Sequence, residues 1–472
     1  MLRRLAISLL AAQAAALKYV MYIDEWHIKD LPGREQTTGI THAIMAFANS
    51  ELFLNGTAYQ PWEPMSVFRS RFPEDSKILV AIGGWGDTKG FSLAVQNDES
   101  MRNWARNVVN MVNTLGIDGV DIDWEYPGGN GQDYLITSNE EKAHEVDAFP
   151  VFLRTLREEL GPEKILSIAV PGLARDQIAF TPEKGPAIWE SVDFVNIMTY
   201  DLMNRRDTET KHHSSVKASL EGVKSYLDIG LPPDKANLGF AFYAKYFPTA
   251  GDCGAQLLGC PTEAMENADG SDNGRSGVIT FEKQFMAPPP STSILSISSN
   301  GLCGPDSGKC PEGQCCSQHG YCGSTDEFCS AGCLSDYGTC RGISAIDSWR
   351  KAQREGKTDE EAGGQYYWDP EAKLFWTWDT PELIARKFEE IVKPLGLGGV
   401  MAWSLGEDSY DWSHVEALRK GVLGSAAGGP DASGSSFAAA NSATSSSASS
   451  PASSPAPSPT PSIPPNMCLL RA

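Results

Sequence analysis

Eight short, near-continuous apolar runs recur along the chain. They lie at Tyr19–Asp24, Thr41–Ala48, Lys77–Ile82, Val120–Trp124, Lys164–Val170, Asp193–Thr199, Asn237–Phe242 and Gly399–Trp403. Runs of this kind suit parallel strands covered on both faces. Segments with helical apolar spacing lie between them. Trp104, Val108, Val112 and Leu115 mark a helix over Met101–Leu115 that Gly116 closes. Phe152, Leu153, Leu156 and Leu160 mark another before Gly161. Thr380-Pro381-Glu382 reads as an N-cap followed by proline at the first helical position. Strands alternating with helices in this way predict an α/β chain folded as a (β/α)8 TIM barrel, with a doubly wound open sheet as the alternative.

One connection breaks the rhythm, because Tyr243 to Leu397 is far more chain than a crossover helix needs. The expected organisation is a leader at 1–16, the first part of the barrel at 17–246, an insertion at 247–365, the last part of the barrel at 366–424 and a disordered tail at 425–472. A small cysteine-rich module at 300–341 sits inside the insertion. The leader has Arg3-Arg4, an apolar stretch from Leu5 to Ala12 and then Ala14-Ala15-Ala16, the layout of a secretory signal peptide. A buried N-terminal helix is the alternative. The Ser, Ala and Pro of the tail cannot bury a core and suit an O-glycosylated stalk. The final residues, Asn466–Ala472, are not the hydrophobic tail of a lipid-anchor signal. Asn55-Gly56-Thr57 is an N-glycosylation sequon. No later run has the length of a membrane helix. The formal net charge of −21 disfavours nucleic acid and anionic membrane as partners. The expectation is a secreted, extracellular monomer, with cell-wall association as an option.

The run Asp118-Gly119-Val120-Asp121-Ile122-Asp123-Trp124-Glu125-Tyr126-Pro127 carries the chemistry. Strand side chains alternate faces, so Asp121, Asp123 and Glu125 share one face and Val120, Ile122 and Trp124 the other. Crowded, buried carboxylates have raised pKa values, which suits general acid catalysis. A calcium loop starting at Asp121 would put Tyr126 where glycine is required and Gln132 where glutamate is required. Asp118 falls off the acidic face and reads as structural. In a barrel, Glu125 stands at the mouth and Asp123 and Asp121 progressively deeper.

This run resembles the DxxDxDxE signature of glycoside hydrolase family 18, the chitinases. Ala81-Ile82-Gly83-Gly84-Trp85 is similar to the SxGG motif of that family, with Ala81 where serine is usual. Met198-Thr199-Tyr200-Asp201 and Trp403 match at further strand ends, so the likeness spans roughly Lys18 to Leu423 outside the insertion. It implies hydrolysis of β-1,4 bonds in chitin or chito-oligosaccharides without metal or cofactor. The substrate's own 2-acetamido group serves as nucleophile, an exception to the usual pair of carboxylates. Glu125 would be the acid and then the base, Asp123 would hold the acetamido N–H, and Asp121 would share a proton with Asp123. Tyr200 would hydrogen-bond the acetamido oxygen and Asp201 would contact the distorted sugar. Gly84, Trp85, Tyr126, Met198, Thr199 and Trp403 would line the sugar site, with Tyr22, Trp26 and Tyr243 as further aromatic candidates. An endo-β-N-acetylglucosaminidase acting on N-glycans, a non-catalytic chitin lectin and a structural wall protein are the competing readings.

Eight of the eleven cysteines lie between Cys303 and Cys340. So dense a set in a small unit reads as a disulfide scaffold rather than a zinc site, since His319 is the only histidine inside it. Spacing alone leaves the connectivity open. The run from Cys315 to Ser324 resembles a hevein-type chitin-binding domain. That likeness implies Cys303–Cys316, Cys310–Cys322, Cys315–Cys329 and Cys333–Cys340, with a sugar-binding face from Ser317, His319, Tyr321 and Phe328. His319 stands where an aromatic is usual, which lowers the expected affinity. Cys253 and Cys260 are expected to pair, leaving Cys468 over.

Overall fold

The computed structural model describes residues 17–286, 295–329, 332–341, 344–408 and 410–426. The expected leader, the tail beyond residue 426 and Cys468 lie outside them. The first seven strands are β1 (Lys18–Asp24), β2 (His42–Ala48), β3 (Lys77–Gly83), β4 (Gly119–Asp123), β5 (Ile165–Pro171), β6 (Phe194–Met198) and β7 (Ala236–Ala241). The insertion contributes β8 (Tyr243–Pro248), β9 (Gly277–Thr280), β10 (Cys315–Cys316), β11 (Cys322–Gly323), β12 (Lys357–Asp359), β13 (Gly364–Asp369) and β14 (Leu374–Trp378). The chain then returns through β15 (Gly399–Trp403). β1 to β7 and β15 form a closed parallel barrel, sealed where Lys18–Met21 pairs with Gly399–Ala402.

Each expected apolar run supplies one barrel strand. Differences at the ends have local causes. Asp193 stays outside β6 because its carboxylate accepts the Leu166 N–H of β5 and pairs with Arg157. Thr41 stays outside β2, where its hydroxyl oxygen accepts the Tyr19 N–H.

The period of two splits the strands between two cores. Val120, Ile122 and Trp124 point outward into the shell of helices. There Trp124 stacks on Phe91 at 5.1 Å and meets Phe149 and Phe152 edge-on. Each such pair adds about 0.5–1.5 kcal/mol beyond area burial. The helix Asp98–Leu115 closes over them. Asn97 caps it by accepting the Ser100 N–H, and Gly116 ends it at φ 62°. The inward set includes Val20, Tyr22, Ile44, Leu79, Ala81, Phe194 and Met401 and fills the barrel.

β8, β9 and β12 to β14 form a second, antiparallel sheet in the order β12-β13-β14-β8-β9. It takes residues from both sides of the insertion boundaries expected at 247 and 365. The disulfide-rich region follows the seventh barrel strand. Its pairs are Cys303–Cys316, Cys310–Cys322, Cys315–Cys329 and Cys333–Cys340, and Cys253 pairs with Cys260. Among the described residues no helix is long and apolar enough to cross a membrane.

Candidate active site

Polar residues interrupt the inward face of the barrel mainly along β4, β5 and β6. Asp121 is fully buried. Its Oδ2 accepts the Tyr22 hydroxyl at 2.7 Å, and its Oδ1 accepts Ser167 Oγ at 2.6 Å and Asn196 Nδ2 at 3.2 Å. Burial raises this carboxyl to about 6 against the pull of those three donors. Two residues on, Asp123 is pushed well above the usual range by burial and then by Glu125 and Asp121. Its Oδ1 is buried and has no hydrogen-bond partner among the described residues. Glu125, 9% exposed, follows just past the strand. Burial raises it to about 8; a hydrogen bond from Tyr126 opposes this, while Asp201 and Asp176 reinforce it.

Asp123 and Glu125 face a cavity of about 610 Å³ at the C-terminal rim of the barrel. Tyr200 and Asp201 follow β6 and line it. The Tyr200 hydroxyl lies 3.8 Å from Met401 Sδ. Asp201 sits at φ 54°. It accepts the Tyr243 hydroxyl at 2.9 Å and lies 3.0 Å from Lys245 Nζ on β8. Burial would raise the Asp201 carboxyl, but Lys245 and His213 hold it down to about 2. One rim therefore carries a carboxylate that stays ionised and another that stays protonated through neutral pH.

Trp403 ends β15 and stacks on Phe47 at 5.4 Å, beside Tyr22 at 5.7 Å. Trp85 meets Tyr126 edge-on at 6.3 Å, with the guanidinium groups of Arg205 and Arg206 5.7 and 5.6 Å from its ring centre. Met198, Tyr22, Trp26 and Tyr243 also line the cavity. Two of the expected sugar-site residues have other places. Gly84 adopts φ 92° and donates its N–H to the Asp123 carbonyl at 2.8 Å. Thr199 is fully buried, and its hydroxyl donates to the Gly239 carbonyl of β7 at 2.7 Å. Asp118 accepts the Ile78 N–H and pairs with Arg69, on the outside of the barrel.

Ser167, Asn196, Asp176 and Lys245 join the site without having been singled out from the sequence. Ser167 and Asn196 were legible as polar residues inside apolar runs. Asp176 ends a short 3-10 turn after β5, and Lys245 comes from the second sheet, so spacing gave no signal for either. Asp24, His27 and Glu407 bring three ligand-type atoms within 4.8 Å of one another at the same rim. Burial lowers the His27 pKa, but Asp24, 2.7 Å from its Nδ1, and Glu407 raise it to about 9, so His27 is itself the cation there.

On the disulfide-rich module, His319 and Tyr321 line the same cavity. Ser317 is buried, and its hydroxyl oxygen accepts the Tyr321 N–H at 3.2 Å. Phe328 packs over Gly323 and the Cys315–Cys329 and Cys333 core of the module.

Known proteins similar to this chain include several chitinases. Chitinase 1 of Aphanocladium album is 22% identical over 432 residues, covering 81% of this chain and 80% of that one. Sporulation-specific chitinase 2 of Saccharomyces cerevisiae is 29% identical over 182 residues, 36% of this chain and 34% of the yeast protein. The solved chitinase RmChi1 of Rhizomucor miehei has the same fold, with a TM-score of 0.59 at 20% identity over 86% of this chain and 99% of that one. The profile of "Glycosyl hydrolases family 18" matches residues 18–408, from the first strand of the barrel to just past the last. The carboxylate strand lies within that span, and the chain belongs to glycosyl hydrolases family 18.

Proposed function

We propose that the protein hydrolyses β-1,4 bonds between N-acetylglucosamine units of chitin, with retention of configuration and with the substrate's acetamido group as nucleophile. The observation that carries this reading is the buried, unpartnered Oδ1 of Asp123 in the cavity wall, between Asp121 and a Glu125 that holds its proton at neutral pH. An unsatisfied buried acceptor is costly unless a ligand donor completes it. An acetamido N–H is such a donor.

In the proposed reaction, Glu125 gives its proton to the glycosidic oxygen as that bond to the anomeric carbon breaks. The acetamido carbonyl oxygen attacks the same carbon and forms an oxazolinium ion. Asp123 accepts the acetamido N–H and stabilises the positive charge, and its carboxyl shares one proton with that of Asp121. Glu125, now ionised, takes a proton from water as the water oxygen bonds to the anomeric carbon and the oxazolinium ring opens. An internal nucleophile already in place leaves little entropy to be lost in the attack. Tyr200 would hydrogen-bond the acetamido oxygen. The Asp201 carboxylate, kept charged by Lys245, suits sugar hydroxyls, and Trp403 offers a flat floor for a pyranose face.

Fungal relatives that carry the name chitinase support the substrate class, as does the hevein-like pairing of the module. Five disulfides and the leader-like N-terminus favour a secreted enzyme. The test is a product time course on soluble chitin hexamer with anomer analysis. β-anomers are expected early; α-anomers would overturn the mechanism, and intact hexamer would overturn the activity.

A further inference from the structure

A carbohydrate-binding module that works as an independent anchor needs only a tether to its enzyme. The module here is built into the enzyme. Cys303, Cys310, Cys316, Leu334 and Tyr337 belong to the same apolar cluster as the helix-facing side of the barrel. Arg350 of the helix Ala345–Glu355 pairs with Asp336, and Ser335 Oγ donates to Asp347 of that helix at 2.8 Å. Ser344 Oγ donates to the Cys333 carbonyl at 2.7 Å. On the other side, Gln284 Nε2 donates to the Gln318 carbonyl at 3.3 Å.

These contacts fix which part of the module meets the cavity. β10 and β11 form a hairpin with Cys316 opposite Cys322. Its tip, Ser317–Tyr321, is closed from within: the Ser317 N–H donates to the Tyr321 carbonyl at 2.9 Å, and Ser317 Oγ accepts the Tyr321 N–H. Gln318, His319, Gly320 and Tyr321 line the same cavity as Asp123 and Glu125. The tip is thus rigid, and it presents an aromatic ring and an exposed imidazole to the space above the acids.

We propose that His319 and Tyr321 form a distal sugar subsite of the catalytic cavity, occupied by the same chitin chain that Glu125 cleaves. This rests on the reading of the cavity as a chitin site. A phenol ring offers its face to pyranose C–H groups and its hydroxyl to the sugar edge, and a preformed hairpin loses little freedom on binding. Asp30, Glu282 and Asp306 line the same wall and disfavour an anionic chain. The module then acts on any chain long enough to reach it, soluble or solid.

The test compares chitin hexamer with a fluorogenic chitobioside too short to extend past the scissile site. Tyr321→Ala is expected to lower the hexamer-to-chitobioside ratio of kcat/KM about three- to tenfold, through KM, the worth of one stacking contact. His319→Trp, which adds a ring at the exposed position, is expected to raise that ratio, and it decides the matter if the first variant fails to fold. An unchanged ratio in folded variants, with or without weaker retention on solid chitin, would overturn the shared-chain subsite and leave the enzyme reading intact. A wild-type protein inactive on both substrates would overturn the enzyme reading, and this subsite with it.

Discussion

Glu125→Gln should destroy turnover and, at neutral pH, stabilise the fold. In the folded protein Glu125 titrates at about 8, against 4.5 ordinarily. Below pH 4.5 both folded and unfolded chains hold the proton, and the group costs nothing. Above it the unfolded chain releases the proton while the fold keeps it, so stability falls with rising pH until about pH 8. Each pH unit in that window costs about 1.4 kcal/mol, which makes about 3 kcal/mol by pH 7. Asp123 shares the local charge, so this figure is a ceiling. A carboxamide keeps the size and cannot ionise. The thermal midpoint of the variant should therefore match the wild type near pH 4 and exceed it by several degrees at pH 7. Turnover of chitin hexamer should fall about 10²–10⁴-fold, the usual worth of a general acid. Scanning calorimetry from pH 4 to pH 8 measures the first effect and product analysis the second. A midpoint difference that stays flat across that range would refute the electrostatic argument. Full turnover by the folded variant would refute the role of Glu125.

Three other perturbations separate positioning from stability. At Gly83, φ is 111° and a Cβ would lie 2.1 Å from the Asp123 carbonyl oxygen. Gly83→Ala should thus shift the carboxylate strand and cut kcat about 10²-fold, while the protein still unfolds cooperatively. Lys387 and Asp379 pair with both side chains fully buried, so Asp379→Ala should cost about 3–5 kcal/mol in urea unfolding without touching the cavity. Asp201 is held down to about 2 by Lys245, so the pair stabilises the fold above about pH 4 and loses that contribution as pH falls toward 2. Its side chain is 34% exposed, and solvent replaces part of the contact. Asp201→Asn should therefore cost about 1–2 kcal/mol at pH 7, a difference that shrinks in acid.

The barrel was legible because a parallel strand covered on both faces tolerates few polar residues, and the exceptions stand out against that background. Asp121, Asp123 and Glu125 were readable for the same reason: a period of two sorts them onto one face. Asp118 failed that period, and in the fold it ties β4 to β3 and Arg69 from outside. The second sheet was not legible. β13 is Gly-Gln-Tyr-Tyr-Trp-Asp, half-buried and of mixed polarity, and its neighbour β14 pairs with β8 from more than a hundred residues away. Lys245 comes from that sheet, so its hold on Asp201 is a product of long-range pairing that no local spacing encodes. Thr199 shows the opposite limit. Its place beside Tyr200 suggested the cavity, but its hydroxyl is committed to Gly239 on the neighbouring strand.

The seam of the barrel has a consequence for how the chain is made. Lys18 pairs with Gly399, and β15 also pairs with β7, so β15 is the keystone between two earlier strands. Until residues 399–403 leave the ribosome, β1 and β7 each keep an open edge. All ten paired cysteines have emerged by then, and the second sheet, including β14, can already assemble. The catalytic floor at Trp403 arrives with the keystone itself. A nascent chain arrested before residue 403 would carry Asp121, Asp123, Glu125 and Asp201 and a complete module, yet hold neither a closed barrel nor a finished cavity. Synthesis thus withholds activity until the last strand is in place.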